Sequence, residues 1–332
     1  MATSHLSLII PVYNRPNEVE ELLDSLTRQS ETNFEVVIVE DGSKETCEHV
    51  VDAFKDKLAI SYYYIPNGGP GNARNYGAKQ SKGDYLIVLD SDCILPPDYI
   101  KSVNKELQET GADAFGGPDK ASDSFTDVQK AINYSMTSFF TTGGIRGGKK
   151  KMDKFYPRSF NMGIRKSTYE ALNGFSAMRF GEDIDFSIRL FKNGYKVCLF
   201  PSAWVYHKRR TDWRKFFRQV YNSGIARINL YKKYPDSLKL VHLLPAIFTL
   251  GVLFFLIGSI FCAWSLLPLG LFCLLILADS SMQNKSIKIG FLSIIASFIQ
   301  LLGYGCGFLD ATWNRLVLKK EEFSAFQKTF YK

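Results

Sequence analysis

An apolar run of strand type, Tyr85-Leu86-Ile87-Val88-Leu89, stops on two carboxylates one residue apart, Asp90 and Asp92. Side chains alternate across a strand, so both fall on one side where the chain leaves the sheet. Two hard oxygen ligands at a strand end suit Mg²⁺ or Mn²⁺ held against phosphate oxygens, and the same residues also suit an Asp-rich turn. A second acidic pair, Glu182-Asp183, opens an amphipathic stretch that runs to Leu190. Acidic residues are favoured at a helix start by the dipole and by capping.

The elements around these residues must position them. Leu6–Val12 reads as a buried strand, and Pro16 with Val19, Leu22, Leu23 and Leu26 as a helix with a proline start and an apolar face. Residues 34–39 form a second strand that ends in Glu40-Asp41-Gly42-Ser43, followed by a helix over 44–54 and a strand over 61–65. Next comes Asn67-Gly68-Gly69-Pro70-Gly71-Asn72-Ala73-Arg74-Asn75-Tyr76-Gly77, a tight turn before a helix through Gln80. Arginine in the first turns of that helix offers a planar fork suited to phosphate.

Three successive strands thus end in polar sets: Asp41, then Arg74, then Asp90 and Asp92. In an open, mostly parallel sheet such ends converge on one crevice, giving an acceptor for a base or ribose, an anion clamp and a metal site. That is the layout of a nucleotide-diphosphate site. No Walker loop is present and no Gly-x-Gly-x-x-Gly follows the first strand, so ATPase and dehydrogenase chemistry lose support.

Four motifs, Pro11-Val12-Tyr13-Asn14, Glu40-Asp41-Gly42-Ser43, Gly69-Pro70-Gly71-Asn72-Ala73-Arg74-Asn75 and Leu89-Asp90-Ser91-Asp92, resemble in order and spacing the family 2 glycosyltransferases of the GT-A fold. The resemblance covers residues 4 to 230. It implies an α/β fold: a Rossmann-like GT-A catalytic domain with a mostly parallel sheet, followed here by α-helical transmembrane segments. It also implies an inverting, metal-dependent hexosyltransferase that uses a nucleotide-sugar donor, usually UDP-linked, with Mn²⁺ or Mg²⁺ as cofactor.

By the same carry-over Pro11 and Tyr13 border the nucleotide, Asp41 meets the base, Arg74 meets the diphosphate, and Asp92 holds the metal with Asp90, which also serves the nucleotide. Asp183 is the implied catalytic base, with Glu182 as the neighbour that could exchange roles with it. His207 ends the strand Ala203-Trp204-Val205-Tyr206-His207 and is implied to reach the metal or the diphosphate. Many relatives carry Asp where Glu40 stands. Arg209, Arg210 and Trp213 only loosely echo the Gln-x-x-Arg-Trp motif of processive relatives, so single-sugar addition is expected.

Between the motifs, 96–109 reads as a helix with a proline start and 112–115 as a strand. The stretch 118–155 reads as irregular. Its run Thr141-Thr142-Gly143-Gly144-Ile145-Arg146-Gly147-Gly148-Lys149-Lys150-Lys151 lacks an apolar period, as a solvated insert or a lid or acceptor-binding loop would.

The chain of 332 residues is 46% apolar and 22% charged, averages that conceal a split. No charged residue lies between Lys239 and Asp279, a run longer than the roughly 20 residues that a bilayer crossing needs. Segments 243–262, 266–278 and 289–309 are candidates for two or three spans. The expected division is a catalytic domain over 1–235, with 207–235 a basic interfacial region, and a membrane region over 240–332.

From Lys208 to Lys239 ten Lys or Arg stand against two Asp, a net +8 that equals the whole chain's. Positive charge just before an apolar run marks the cytoplasmic side and attracts anionic headgroups, so membrane lipids rather than nucleic acid are the expected partner. The aromatic and basic pattern over 213–234 suits an interfacial helix. Three full spans would put Arg315, Lys319 and Lys320 outside, against the positive-inside tendency, whereas two would keep both ends cytoplasmic. The expected location is the inner, cytoplasmic membrane, multi-pass, with the catalytic domain on the cytoplasmic side. Six cysteines without paired spacing fit a reduced compartment, and the Met-Ala-Thr-Ser-His start shows no leader pattern.

The expected function is transfer of a sugar from a nucleotide-sugar to a hydroxyl of a glycan or lipid-linked acceptor in cell-envelope polysaccharide synthesis. A polyprenyl-phosphate glycosyltransferase is the near alternative. Glu182-Asp183 opposes it, because a phosphate acceptor needs no strong base. Intact Asp90, Asp92, Arg74 and Asp183 oppose a non-catalytic nucleotide-sugar-binding scaffold, and apolar segments free of charge oppose a transporter.

Overall fold

The structure is a computed structural model that describes residues 5–120, 125–143, 155–208 and 212–321. They fall into two compact units, the first within Met1–Ser122 and Met152–Lys208, the second within Asp123–Lys151 and Arg209–Glu322. Residues 144–151, Arg209 and Arg210 lie outside the described residues.

The first unit opens with β1 (Leu6–Val12), α1 (Pro16–Thr27), β2 (Phe34–Asp41), α2 (Glu48–Asp52), β3 (Ile60–Ile65), α3 (Pro70–Gln80) and β4 (Tyr85–Leu89). β1 pairs in parallel with β2 and β4, and β2 with β3. Val19, Leu22, Leu23 and Leu26 of α1 pack on one side of the sheet's strands, while Ala73 and Ala78 of α3 join separate clusters with Val37, Val39 and Ile9. Burial on both faces is why these strands are continuous apolar runs rather than alternating ones. α3 lies so close to the sheet that a Cβ on Gly77 would come within 2.7 Å of an Ile9 methyl.

Beyond β4 come β5 (Cys93–Ile94), α4 (Tyr99–Thr110), β6 (Ala114–Gly116) and β7 (Asp119–Lys120). After α5 (Asp127–Thr137) and α6 (Phe139–Thr142) of the second unit, the first resumes with β8 (Asn161–Arg165), α7 (Lys166–Ala171), α8 (Glu182–Lys192), β9 (Val197–Leu199) and β10 (Val205–His207). The large sheet has the order β3-β2-β1-β4-β8-β6-β9, with β8 antiparallel to β4 and β6. A small sheet, β5-β10-β7, sets β10 antiparallel to β5. The expected α/β class with a mostly parallel sheet is the one that forms.

Two local expectations shift. The helix expected over 44–54 shortens to α2, because the Lys44 and Glu45 N–H groups bond Asn14 Oδ1 and the Cys47 N–H bonds Glu40. The stretch expected to be irregular contains α5, opened by a capping box between Thr126 and Gln129. Val128, Ala131, Ile132 and Met136 supply its helical apolar period, which the glycines and lysines further on obscured.

The second unit is helical, with α5 and α6 joined by α9 (Trp213–Lys233), α10 (Leu244–Gly258), α11 (Leu267–Asn284) and α12 (Ile287–Ala311). α9 belongs to this compact unit, which takes up the chain again after Lys208. With their flanking turns, Leu240–Gly258, Ala263–Asn284 and Ile287–Val317 are each long and apolar enough to cross a membrane.

Candidate active site

Alternation along β2 sends Glu40 and Asp41 to opposite faces. Glu40 is fully buried and accepts from Ser43 Oγ, from the Cys47 N–H at 2.9 Å and Sγ at 3.0 Å, and from Tyr62 Oη at 3.2 Å. It braces the turn after β2. Asp41 instead accepts from the Gly68 N–H at 2.7 Å and the Gly69 N–H at 2.9 Å, which ties the end of β2 to the loop before α3. Gly42 follows at φ +71, and a Cβ on it would come within 2.7 Å of Asn67 Cβ, so only glycine fits.

The loop after β1 joins the same turn. Asn14, at φ 52, donates its N–H to Ser43 Oγ at 2.8 Å. Pro11 and Tyr13, both half-buried, stand at the carboxyl end of β1 beside this loop. Next in the chain, Arg15 extends Nη1 to within 2.5 Å of Asp92 Oδ2.

Arg74 on α3 is only 3% exposed. Its Nη2 donates to Asp90 Oδ1 and its Nη1 to Glu182 Oε1, each at 3.0 Å, while the guanidinium rests over the Phe175 ring. One planar fork therefore ties the residue after β4 to the first turn of α8. Desolvation works against its charge, and Asp90 and Glu182 outweigh that, so Arg74 holds its proton more tightly than usual.

α8 is anchored by Arg189, which donates to Asp185 at 3.0 Å and to the carbonyls of Leu172 and Gly174. That anchor presents Glu182 and Asp183. Asp183 is buried and pairs through Oδ2 with Arg158 Nε at 2.7 Å. Burial raises the Glu182 carboxyl above the ordinary glutamate range, with Arg74 opposing and the adjacent Asp183 charge adding to the rise.

Asp92 enters through the turn after β4, closed by the Cys93 N–H on the Asp90 carbonyl at 3.1 Å. The register of β5 with β10 sets His207 opposite Cys93, and the Lys208 N–H bonds the Asp92 carbonyl. His207 Nε2 consequently lies 3.1 Å from Asp92 Oδ1 and 3.9 Å from Asp90 Oδ2, its ring stacked on Phe160. Cys93 Sγ falls in the same cluster. Burial, then the charges of Asp92 and Asp90, push that thiol well up, which leaves the Asp92 carboxylate and the His207 imidazole of that group as donors, with the Asp90 carboxylate next to them. Such a set suits Mn²⁺ or Mg²⁺.

Arg74, Asp90, Asp92, Glu182, Asp183 and His207 thus form one neighbourhood, with Asp41 linked to it through the loop that starts α3. Arg15 and Arg158 were not found by sequence reasoning. Arg15 and Asp92 are 77 positions apart, and no spacing rule relates them. The only signal was Arg15's place beside Asn14 in the first motif.

A family model described as Glycosyl transferase family 2 matches residues 7–172. An uncharacterized glycosyltransferase of Haemophilus influenzae is 34% identical over 218 residues, which cover 62% of this chain and 70% of that protein. The poly(ribitol-phosphate) beta-N-acetylglucosaminyltransferase TarS of Staphylococcus aureus is 34% identical over 113 residues, 33% of this chain and 20% of TarS. Against uncharacterized glycosyltransferases of Rickettsia typhi and Rickettsia bellii the chain spans 30% and 15% of their length. Among solved structures, the mannosyltransferase PcManGT of Pyrobaculum calidifontis, in complex with GDP-Man and Mn²⁺, superposes with a TM-score of 0.59 at 16% identity, covering 95% of this chain and 89% of that one. The likeness in structure shows the fold, a GT-A type sheet.

Proposed function

This chain belongs to glycosyl transferase family 2, and from that premise we propose that it is a metal-dependent, inverting glycosyltransferase. It moves a sugar from a nucleotide-sugar donor, UDP-linked in our reading, to a hydroxyl of a glycan or lipid-linked acceptor. The observation that supports this reading is the set of ion pairs that brings Arg74, Asp90, Asp92, His207 and Glu182 together, with Asp183 next to Glu182.

In this reading Asp92, Asp90 and His207 hold a divalent ion, which when bound neutralises charge on the donor's diphosphate. Arg74 exchanges its carboxylate partners for diphosphate oxygens, a match for its planar fork. Asp41 and the half-buried Pro11 and Tyr13 border the nucleotide. Asp183 takes the proton from the acceptor hydroxyl as that oxygen attacks the anomeric carbon, and the bond to the nucleoside diphosphate breaks on the opposite face. A single displacement of this kind inverts the anomeric configuration. Glu182 holds the Arg74 fork in place until the donor takes it over.

The relative TarS supports a place in cell-envelope polysaccharide synthesis, and the ten cations before the apolar run support the cytoplasmic membrane with the catalytic unit on its cytoplasmic side. Asp183→Asn is the test. It should retain donor binding by calorimetry while transfer of labelled sugar to extracted membrane acceptors falls by about 10²- to 10⁴-fold. Near-normal transfer would move the base elsewhere.

A further inference from the structure

We propose that α12 does not cross the membrane: it lies along the membrane surface beneath α5 and α9, the α10–α11 hairpin alone enters the lipid, and the chain leaves α12 on the side where it entered at α9. This rests on the membrane association proposed above and is independent of the catalytic assignments.

By length and composition α12 resembles its neighbours, but 44% of its segment is buried, against 6% and 11% for those of α10 and α11. The covering elements are polar helices. Over the first half of α12, Lys288 Nζ pairs with Asp127 Oδ2 at 2.7 Å, and Ala131, Ile132 and Met136 of α5 cluster with Ile289 and Ala296. Over the second half α9 takes over. A Cβ on Gly303 would meet the Val220 side chain at 2.5 Å, and one on Gly307 the Tyr221 carbonyl at 2.0 Å. From the other side, a Cβ on Gly224 would meet the Tyr304 carbonyl at 2.2 Å. Further along, Ile228 clusters with Phe308 and Ala311.

Contacts that advance along both helices in the same order mean that α9 and α12 run side by side, backbone against backbone. The far face of α9 exposes Arg214, Lys215, Arg218, Lys232 and Lys233. If α12 spanned the bilayer, α9 would carry several of these charges into hydrocarbon, where each is strongly disfavoured. Lying flat sets the same cations at headgroup depth. The uncovered face of α12 begins with Ile287, Phe291 and Ile295, an exposed apolar stripe suited to the acyl boundary.

The hairpin differs. α10 meets α12 in its first turns, through Pro245 and Thr249 at Gly305 and Phe248 at Phe298, and α11 meets it from Phe272, also at Phe298, to Leu277 and Ser281 at Gly290. Between those points Phe254, Ile257, Ile260, Phe261, Trp264 and Leu271 are exposed, so the tip is the part that faces lipid. Arg315, Lys319 and Lys320 after α12 then share a side with the cations before α10, as the positive-inside tendency asks.

The test uses the full chain in phosphatidylethanolamine and phosphatidylglycerol vesicles of defined orientation, with the accessible native cysteines Cys198, Cys262, Cys273 and Cys306 replaced by serine. Lys44→Cys marks the catalytic side for a membrane-impermeant maleimide. Lys320→Cys should be labelled from that same side, and labelling only from the opposite side would overturn the proposal. Independently, nitroxides on Ile287→Cys and Ile295→Cys should report equal depth, because a surface-parallel helix does not descend. A difference near 12 Å, eight residues at about 1.5 Å each, would overturn it as well. Release of the chain from the vesicles by carbonate would instead refute the membrane association on which the proposal rests.

Discussion

Arg74→Ala is the perturbation that presses hardest on the connected cluster. The guanidinium donates to Asp90 and Glu182 at 3.0 Å each from a side chain with 4% of its surface exposed. Its removal strands Glu182, with 13% of its side chain exposed, and Asp90, with 32%, and breaking a buried pair by deleting one partner costs about 3–5 kcal/mol, the lower end applying where one acid keeps water. For a unit of 150–250 residues each kcal/mol moves Tm by about 2–4 °C, so the loss should be on the order of 6–20 °C. Glu182→Gln placed in the Arg74→Ala background removes one stranded charge and should restore about 1–3 kcal/mol, a coupling that independent sites lack. The assay is thermal unfolding of the full chain in detergent, without metal or nucleotide, for the parent, both single variants and the double variant. A loss below about 2 °C, or simple additivity in the double variant, would refute the reasoning.

Other expectations concern neighbouring residues. Glu40→Ala leaves the donors of Ser43, Cys47 and Tyr62 without their acceptor and should cost about 2–4 kcal/mol by chemical denaturation, with donor affinity kept while the chain is folded; the reverse pattern would give Glu40 a direct ligand role. Since Glu182 titrates above its ordinary 4.5 and a protonated carboxyl cannot steady Arg74, transfer should fall as pH drops through a value above 4.5. Glu182→Gln, which mimics the protonated carboxyl, should lower transfer at neutral pH and flatten that acid limb, so an undiminished rate with an unmoved limb would detach Glu182 from the titration. His207→Ala should weaken Mn²⁺ binding by about tenfold or more in electron paramagnetic resonance titrations, and an unchanged affinity would remove the imidazole from the donor set.

Much of this candidate site was legible along the chain because its residues lie where strands end or where helices begin. The continuous apolar runs of β1, β2 and β4 announce strands buried on both faces, and each run stops beside a residue that the proposed mechanism uses. Alternation then separates Glu40 from Asp41, a distinction that decides which of two adjacent acids braces the core and which faces the loop before α3. Long-range partnerships were not legible. Nothing in the spacing relates Arg15 to Asp92, or Arg158 to Asp183, because these pairings arise from how loops cross the ends of the sheet. α5 went unseen for another reason: its capping box and apolar period were present, but the glycines and lysines that follow dominated the composition of the stretch. The packing of α12 was likewise hidden, since hydropathy records how apolar a helix is and not what covers it.

The central claim is a nucleotide-sugar site that depends on a metal held by Asp90, Asp92 and His207. Its most direct test is donor binding by purified full-length protein in detergent, read by thermal shift against UDP-, GDP- and dTDP-sugars, each with and without Mn²⁺, in the parent chain and in Asp92→Ala. Stabilisation by one nucleotide class, only with Mn²⁺ and lost in Asp92→Ala, is the predicted result. A parent protein that binds none of these donors, or an Asp92→Ala variant that binds with undiminished metal dependence, would contradict it.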